Sequence, residues 1–455
     1  MKPLDLQTIA AVTGGRYVGD ASRLGERITG VVRDSHEAYD GCLFLCIKGE
    51  RADGHSFANS AFAGGAICAL AERELDEPTA PYILVESTLA ALMTLGEYYR
   101  SLLDIPVVGV TGSVGKTTAK EMIAAVLSAR YNVLKTSENL NNEIGVPLTL
   151  LSIHEEHTAA VVEMGISDFG EMRRLSKMAR PTVCVMTAIG YCHLDNLGDP
   201  DGVLRAKAEV FEYMPSDGVA VLNGDDERLY AYDPQIPKIT FGFSAHNAYR
   251  AENLISRGTE GVEFDIVTET ERFAAAIPAY GEHLALAALA AAAVGNLLGL
   301  TADEITRGLL SYAPVGGRAN VTDTGYITVI DDCYNANPHS VKAALRSLRG
   351  LKGRRVAILG DMLELGGGSA ELHREIGAYA AEQGVNCLIC HGERAEFIFK
   401  GLIASKSEIE RYHFPLRDAL MERLPGIIRA GDVVLVKASH SMRFDEIVEL
   451  LKSLG

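Results

Sequence analysis

The stretch Thr111-Gly112-Ser113-Val114-Gly115-Lys116-Thr117-Thr118 decides the fold of this chain, because an apolar segment precedes it and a helical pattern follows it. Residues 105–110 predict a buried strand, and residues 119–130 predict an amphipathic helix. Glycines at such a junction let backbone N–H groups approach an anion, and the helix N-terminus adds a partial positive charge. Lys116 can reach the outer phosphates of a nucleotide, while the hydroxyl of Thr117 can bind Mg²⁺. We therefore predict a nucleoside triphosphate site, built on the short Thr-Gly-x-x-Gly-Lys-Thr form of the phosphate-binding loop.

Length and composition limit the class of protein. With 455 residues the chain is too long for a single core, and two to four domains are expected. Its formal net charge of −17 argues against a nucleic-acid partner, and it requires local clusters of cations wherever an anionic substrate binds. The richest apolar run, residues 284–294, is far shorter than the roughly 20 residues that span a bilayer. We therefore expect a buried helix there and no membrane insertion.

The cysteines indicate the compartment. The chain has 8 of them, mostly in apolar stretches, and we interpret them as reduced thiols of a cytoplasmic protein. Cys387-Leu-Ile-Cys390 has the spacing of a redox or metal pair, but it lies in a strand-like run without a second pair nearby. The first residues also lack the long apolar segment of a secretory signal.

Three successive regions of alternating strands and helices predict an α/β protein with three domains. We expect a small N-terminal α/β domain over residues 1–103 and a central P-loop ATPase-like domain with a parallel sheet over 104–313. Residues 314–455 predict a C-terminal Rossmann-like, doubly wound domain, although no Gly-x-Gly-x-x-Gly supports a dinucleotide role there. Residues 249–277 alternate polar and apolar side chains, as expected for an antiparallel appendage of the central domain.

Polar signals follow the phosphate loop in the central domain. The amides of Asn139 and Asn142 can bind phosphate or sugar oxygens, or instead cap the helix that follows. Glu163 ends an apolar strand at the sheet edge where ligands bind in open α/β folds, and a carboxylate beside a phosphate loop suits Mg²⁺. His193 follows the next strand and is either structural or a metal ligand. Lys207, near the start of a predicted helix, can pair with phosphate or take up CO₂ as a carbamate, and the residues alone do not separate these two roles.

The third domain carries polar side chains after three of its predicted strands. These are Asp332, Asn335 and Asn337 after the first strand, Asp361 and Glu364 after the second, and Lys437 and Ser439 after the third. Asn337-Pro338 predicts a turn into a helix that is capped near Ser340. Because the carboxyl ends of parallel strands meet at one sheet edge, we expect these groups to face the ATP domain across a cleft.

With these residues assembled, the chain resembles the Mur ligase family along its whole length. The short phosphate loop is common to the family, and four further runs carry the likeness more specifically: residues 48–55, 139–147, 334–338 and 360–366. A few positions depart from residues that are frequent in the family, and we interpret them as subfamily variation: His36, Ser167, Asp168, Leu284, Ala287 and His440.

The resemblance implies an ATP-dependent carboxylate–amine ligase of the cytoplasm that acts in peptidoglycan synthesis. It would join D-alanyl-D-alanine to UDP-N-acetylmuramoyl-tripeptide through an acyl phosphate, and we expect it to act as a monomer. An alternative is another amide ligase of the superfamily with a different amine donor, such as the tripeptide-forming sibling or a folylpolyglutamate-type enzyme. A P-loop switch without catalysis is disfavoured, because the Asn-Lys-x-Asp motif of guanine-binding switches does not occur.

The resemblance also implies roles for individual residues. The middle domain would bind ATP through Thr111–Thr118, and Arg318 and Asp332 would reach the nucleotide from the hinge and the third domain. Thr117, Glu163 and His193 would share Mg²⁺ with Lys207, which would match the carbamylated lysine of the family. Lys116, Glu163, His193 and Lys207 would be the catalytic group. Substrate contacts are implied for Asp34, Ser35, the run from Gly49 to His55 including Asp53, Asn139 and Asn142, and, on the dipeptide side, Asn335, Asn337, Lys437 and Ser439.

Overall fold

A small sheet of short apolar strands opens the chain. The structure is a computed structural model that describes residues 1–49 and 52–454. The N-terminal part contains β1 (Leu4–Asp5), β2 (Arg16–Val18), β3 (Arg27–Ile28), β4 (Gly30–Val32), β5 (Cys42–Leu45), β6 (Cys68–Ala71), β7 (Tyr82–Leu84), α1 (Leu6–Thr13), α2 (Ala58–Ala63) and α3 (Thr88–Ser101). The sheet runs in the order β2-β7-β6-β5-β4, parallel except at β2. Strands β5 and β6 are buried along their length, which explains their unbroken apolar sequence.

The central part is built on a longer sheet. Its strands are β8 (Val107–Thr111), β9 (Val133–Lys135), β10 (Ala159–Glu163), β11 (Val183–Met186), β12 (Val219–Asn223), β13 (Lys238–Gly242), β14 (Tyr249–Ser256), β15 (Val262–Val267) and β16 (Arg272–Ile277). Its helices are α4 (Lys116–Leu127), α5 (Gly145–Leu151), α6 (Glu171–Ala179), α7 (Leu194–Leu197), α8 (Pro200–Ala208), α9 (Glu227–Ala231), α10 (Leu284–Leu297) and α11 (Ala302–Leu310). The sheet order is β16-β15-β14-β13-β12-β11-β8-β10-β9. Strands β8 to β13 pair in parallel, as the apolar strands predict.

The alternating stretch 249–277 is antiparallel as expected, but it is not a separate appendage. Strand β14 pairs in parallel with β13, and β15 and β16 then add antiparallel strands to the same sheet. The alternation of polar and apolar residues indicates that one face of these strands is exposed to solvent. It does not indicate which strand pairs with β14.

Two helices around the phosphate loop begin earlier than the sequence pattern suggests. Helix α4 begins at Lys116 instead of residue 119, because Gly115 takes a left-handed conformation (φ 82°) as the N-cap and starts the helix at once. Helix α8 begins at Pro200, where Asp199 caps it, so Lys207 lies in its last turn and the prediction that Lys207 is near a helix start is wrong. The Asp-Pro signal at residues 199–200 was the cue that sequence reasoning missed.

The C-terminal part forms a third sheet. It contains β17 (Asn320–Asp323), β18 (Thr328–Asp331), β19 (Arg355–Gly360), β20 (Cys387–His391), β21 (Glu410–Phe414), β22 (Val433–Lys437), α12 (Pro338–Arg349), α13 (Ser369–Glu382), α14 (Ala395–Ala404), α15 (Arg417–Ile427) and α16 (Asp445–Lys452). The order is β17-β18-β22-β19-β20-β21, with all pairs parallel except β17 and β18. Two apolar clusters, one on each face of this sheet, give the doubly wound arrangement.

The N-terminal part packs more extensively against the central part than the C-terminal part does. The N-terminal and central parts share one hydrophobic cluster, in which Leu92 of α3 and Leu150 of α5 are both buried. The Arg100 guanidinium of α3 also donates to the carbonyl of Ala179 at 2.9 Å. From the central part, Tyr280 is the residue that enters a cluster of the C-terminal part.

The cysteines and the apolar helix behave as the composition suggests. Cys387 and Cys390 are buried in β20, and burial raises the pKa of the Cys387 thiol to about 12. All eight cysteines are free. Helix α10 contains the Ala-rich run and is almost wholly buried against α4. In the described part of the chain, no helix is long and apolar enough to cross a membrane.

Candidate active site

A cavity of about 880 Å³ lies where the phosphate loop, the ends of the central strands and the edge of the third sheet meet. Most of the residues predicted for nucleotide, metal and dipeptide binding line this one space. They are Ser113, Val114, Gly115, Lys116, Thr117, Thr118, Asn139, Asn142, Glu163, His193, Arg318, Asp332, Asn335, Asn337 and Lys437. The lining carries three cations, Lys116, Arg318 and Lys437, and four carboxylates, Glu143, Glu163, Glu171 and Asp332. An anionic nucleotide must therefore be held by the local placement of the cations and not by an overall positive lining.

The phosphate loop has the backbone geometry that an anion site needs. Gly112 adopts φ 140°, and a Cβ there would lie 2.1 Å from the Thr187 hydroxyl, so only glycine fits. The Ser113 amide donates to the carbonyl of Ala188 at 2.8 Å, which joins the loop to the segment after β11. Lys116 Nζ folds back over the loop and donates to the Gly112 carbonyl at 2.8 Å. The ammonium group is therefore already placed above the loop that would hold the phosphates.

Glu163 and Thr117 form the polar floor of the site. The Thr117 hydroxyl donates to Glu163 Oε2 at 2.8 Å, and the Asn141 amide donates to Glu163 Oε1, also at 2.8 Å. The Glu163 carboxylate is 2% exposed and ends β10, while its backbone N–H donates to the Thr136 hydroxyl. A buried carboxylate held from both oxygens keeps one orientation.

Sequence reasoning named the neighbours of Asn141 instead of Asn141 itself. Asn142 Oδ1 accepts from the backbone N–H groups of Ile144 at 3.1 Å and Gly145 at 3.0 Å, so the capping role left open for this residue is the one found. Asn139 lines the cavity. The run of three asparagines within residues 139–142 was the available signal, but the residue types do not say which amide turns toward the acid.

His193 lies at the boundary between the central and C-terminal parts. It has a left-handed backbone (φ 51°) immediately before α7, and its Nδ1 is 2.8 Å from Glu364 Oε2. Burial lowers the pKa of His193, and the neighbouring Glu364 carboxylate opposes this shift. The His193 ring therefore lines the cavity, and its Nδ1 contacts a carboxylate of the third domain.

Lys207 is buried beneath the site and does not line the cavity. Its side chain is 1% exposed, and burial, together with the charge of Lys116, lowers the pKa of its ammonium group to about 8. The positive charge of Lys116 is the one that disfavours a second ammonium group at this position. A substantial fraction of this amine is therefore neutral near neutral pH, which is the form that reacts with CO₂.

The third domain presents a cationic and amide-rich edge to the same cavity. Lys437 is 3% exposed and pairs with the Asp332 carboxylate at 2.6 Å, and its Nζ also donates to the Asn335 carbonyl at 3.0 Å. The Arg318 guanidinium stacks on the Tyr334 ring at 3.9 Å from its centroid. Ion pairing and stacking thus hold both cations in place.

Two predicted dipeptide-side residues have structural partners. Asn337 is the N-cap of α12 and accepts from the Ser340 amide at 2.9 Å, so the expectation of a cap near Ser340 is corrected by three residues. Ser340 completes a capping box by accepting from the Asn337 N–H. Ser439 is buried outside the cavity lining, and its hydroxyl accepts from the Leu363 N–H at 2.9 Å.

The residues predicted to hold the UDP-sugar lie in the N-terminal part, away from the cavity lining. Asp34 accepts from the N–H of His36 beside Ser35 at the start of a short 3₁₀ turn. Asp53 binds the ring of His55 at 2.6 Å, which holds the pKa of Asp53 at about 2, and His55 Nε2 accepts from the Glu72 N–H. Gly49 precedes two members of the predicted run, Glu50 and Arg51, that lie outside the described residues.

One buried histidine in the cavity wall was not predicted as a site residue. His283 lines the cavity beside the apolar Leu284, Ala287 and Ala290 of α10, and within residues 1–49 and 52–454 its Nδ1 has no hydrogen-bond partner. Burial lowers the pKa of His283, so the ring is neutral at physiological pH. Its place before an apolar helix was its only sequence signal.

Comparison with known proteins places the whole chain. The family models described as "Mur ligase family, catalytic domain", "Mur ligase middle domain" and "Mur ligase, glutamate ligase domain" match residues 27–140, 110–295 and 317–440. The chain is 38% identical over 429 residues to the UDP-N-acetylmuramoyl-tripeptide–D-alanyl-D-alanine ligase of Bacillus subtilis (strain 168), with 93% of each chain covered. The chain belongs to the Mur ligase family. The predicted resemblance is thereby confirmed.

Solved structures match this Mur ligase over nearly its full length. Crystal structure I of MurF from Acinetobacter baumannii superposes with a TM-score of 0.91 at 29% identity, covering 100% of this chain and 99% of that chain. MurF ligase from Thermotoga maritima in complex with ADP superposes with a TM-score of 0.83 at 29% identity, covering 93% and 97%. These likenesses confirm the predicted three-domain α/β fold class.

Proposed function

We propose that this Mur ligase joins D-alanyl-D-alanine to UDP-N-acetylmuramoyl-tripeptide with ATP as the energy source, giving the UDP-linked pentapeptide precursor of peptidoglycan. The observation that carries the proposal is the shared cavity, in which a phosphate loop faces the polar edge of the third domain. The similarity to a ligase of that name over 93% of both chains supports the choice of substrates. The free cysteines fit a reducing compartment, so we place the reaction in the cytoplasm.

The chemistry follows from the poor reactivity of a carboxylate. The tripeptide carboxylate oxygen attacks the γ-phosphorus of ATP and releases ADP, which converts it to an acyl phosphate. The amine of D-alanyl-D-alanine then attacks the acyl carbon, and inorganic phosphate leaves with the original carboxylate oxygen. Lys116, placed over the phosphate loop, would offset the charge that spreads over the transferring phosphoryl group.

The floor of the site fits Mg²⁺. A hydroxyl and a carboxylate, from Thr117 and Glu163, lie in direct contact, and Mg²⁺ prefers such hard oxygen ligands with water and substrate phosphates completing its shell. In the described residues no three His, Cys, Asp or Glu side chains form a metal cage, and this mode of binding needs none. We propose that Thr117, Glu163, His193 and Lys207, the last as a carbamate, hold the ion, which would supply Lewis-acid stabilisation of the phosphoryl charge.

Lys207 is proposed to act as a carbamate. Its neutral amine can attack CO₂ with loss of one proton, and the product offers two oxygens and a negative charge in place of an ammonium group. The lowered pKa and the burial of the Lys207 side chain support this role. An anion beside Lys116 and His193 would also relieve the repulsion that the two lysines exert on each other.

The remaining contacts are divided between the outer domains. Asp34, Ser35 and the run from Gly49 through Asp53 to His55 are proposed to bind the UDP-sugar. Arg318 and Asp332 are proposed to contact ATP, while Asn335, Asn337, Lys437 and Ser439 form the dipeptide side. Asn139 and Asn142 are proposed to lie along the peptide and phosphates, with Asn142 also keeping its capping bonds.

The proposal is tested by the dependence of phosphate release on each component. Release should require ATP, Mg²⁺, UDP-tripeptide and D-alanyl-D-alanine together, and mass spectrometry should identify the pentapeptide. With ¹⁸O in the tripeptide carboxylate, one labelled oxygen should appear in the released phosphate. Release that ignores the dipeptide contradicts the proposal, and ligation of glutamate or of a single diamino acid instead favours the alternative ligases.

Matched lysine variants connect the reaction to the cavity. Lys116→Gln should abolish phosphate release, because the charge above the phosphate loop is lost. Lys352→Gln removes a lysine that is exposed in the third domain and should leave release unchanged. Equal activity of both variants would show that Lys116 of the phosphate loop is not needed for phosphate release.

A further inference from the structure

One residue of the third domain reaches the metal-site candidates of the central domain. Glu364 follows β19 and its carboxylate lies 2.8 Å from Nδ1 of His193, across the boundary between the two parts. A carboxylate is negative and can only accept, so its place beside Nδ1 favours the ring form that carries hydrogen on Nδ1, and Nε2 is then the nitrogen left for a metal ion. Nitrogen ligands of metals commonly have their other ring N–H fixed in this way by a carboxylate.

The backbone on both sides of this contact supports a selected geometry. His193 has φ 51° and Glu364 has φ 61°, and a non-glycine residue in this left-handed region is held there at a cost in free energy. Two such residues, from chain segments far apart in sequence, face each other in one ion-pair contact of 2.8 Å. Strain of this kind persists where the surrounding structure fixes it, which is most frequent at functional sites.

The same boundary is joined at neighbouring points, so the contact reports the position of the third domain. The ring of Tyr191 packs edge-on against His339, with centroids 5.9 Å apart. A Cβ on Gly366 would lie 3.5 Å from the Cβ of Leu194, which shows van der Waals approach of the two backbones.

The segment that carries His193 is also bonded to the phosphate loop. The Gly190 N–H donates to the Ser113 hydroxyl at 2.9 Å. A movement of the third domain would therefore displace residues 190–193, which contain His193 and are hydrogen-bonded to the phosphate loop.

We propose that Glu364 is a positioning residue that holds the His193 imidazole from the third domain, so that the central site is complete only when that domain is docked. The inference rests on the proposed function, because it assumes that His193 acts at the nucleotide. Glu364 is not among the residues that line the cavity, and its effect on the reaction is exerted through the histidine.

A structural role and a positioning role predict different results for Glu364→Ala. Its side chain is 62% exposed, and an exposed ion pair contributes little to stability, so the melting temperature should stay near that of the wild type. Loss of the group that orients a metal-ligating histidine lowers activity by about 10-fold or more. The loss should fall on kcat, with the KM for the dipeptide little changed. Glu364→Gln keeps an acceptor oxygen and should lose less.

The matched control is Glu449→Ala, which removes an exposed carboxylate of the same domain that pairs with Lys452 of its own helix. It should retain full activity. The decisive measurement is a double-mutant cycle: in a His193→Gln background, Glu364→Ala should cause no further loss. An equal fold-loss of kcat in both backgrounds would overturn the proposal, as would a fall in melting temperature that accounts for the lost activity.

A spectroscopic readout separates this proposal from the identity of the substrates. In unliganded protein with ¹⁵N-labelled histidine, the His193 signal, assigned with His193→Gln, should show the Nδ1–H tautomer in the wild type and lose that preference in Glu364→Ala. An unchanged signal overturns the inference even if the ligase activity is as proposed. A different amine donor would overturn the proposed function while leaving the tautomer result intact.

Discussion

Replacing Lys207 with methionine is expected to stabilise the fold while it abolishes the reaction. The side chain is 1% exposed, and burial lowers its pKa from the ordinary 10.5 to about 8. A difference of one in pKa is worth about 1.4 kcal/mol, so a charged Lys207 costs the folded state about 3 kcal/mol at pH 7. Methionine has a similar volume and no charge, and Lys207→Met should therefore raise the free energy of unfolding by up to that amount.

The pH dependence has a definite sign. Because the folded-state pKa is the lower one, the unfolded chain binds more protons between pH 8 and 10.5, and the penalty is present in full below pH 8. The advantage of Lys207→Met should accordingly shrink from about 3 kcal/mol at pH 7 to about 1.5 kcal/mol at pH 9.5.

Urea denaturation in CO₂-free buffer measures this advantage directly, with Lys352→Met as the exposed control that should change little. Short carboxylates should partly restore ligation in Lys207→Ala, where they can occupy the space of a carbamate. A Lys207→Met protein that is no more stable than the wild type at pH 7, or equally stabilised at pH 7 and 9.5, would refute the reasoning. Wild-type turnover in the variant would remove Lys207 from the mechanism.

Two further predictions concern the phosphate loop and the buried acid. Gly112→Ala should lose ADP binding in a fluorescence titration and be less stable by about 1–3 kcal/mol, because φ 140° and a Cβ 2.1 Å from the Thr187 hydroxyl exclude alanine. The control is Gly25→Ala, where an added Cβ contacts nothing, and this variant should bind ADP normally. Equal ADP binding by both variants would contradict the prediction. Asn141→Ala frees one oxygen of Glu163 and should lower kcat and raise the Mg²⁺ concentration needed for half-maximal activity; no change in either would show that the amide is not needed to orient the acid.

The sequence predicts the fold class well because strand and helix patterns are local. Val107–Thr111 is apolar and followed by a glycine-rich turn, and it is the buried strand that the pattern indicates. The same local logic places Glu163 and His193 after consecutive strands, β10 and β11, which lie on either side of β8, and both residues line the cavity. Pairing partners are less local, and for this reason the antiparallel strands of residues 249–277 were expected as an appendage instead of an extension of the sheet.

The parts of the site that escaped sequence reasoning depend on side-chain direction and on contacts between domains. Asn141 and its neighbours share one residue type, and only the backbone around them selects which amide meets Glu163. The ion pair between Glu364 and His193 joins residues 171 positions apart, and no sequence periodicity indicates such a pair. Helix starts are similar: Asn337 and Ser340 both read as caps, and the hydrogen bonds decide between them.

The single hydrophobic cluster shared by the N-terminal and central parts has a mechanical consequence. Elements whose side chains interdigitate within one core travel as a unit, since sliding them apart would open cavities between packed atoms. The C-terminal part has two hydrophobic clusters of its own, and among the described residues Tyr280 is the one residue of the central part that belongs to either of them. We therefore expect Tyr280 to lie close to the axis about which the C-terminal part rotates. If the third domain moves away, the proposed amine-donor side should widen, while the distance from the proposed UDP-sugar residues to the phosphate loop should stay the same. The dipeptide could then exchange without displacement of the other two substrates.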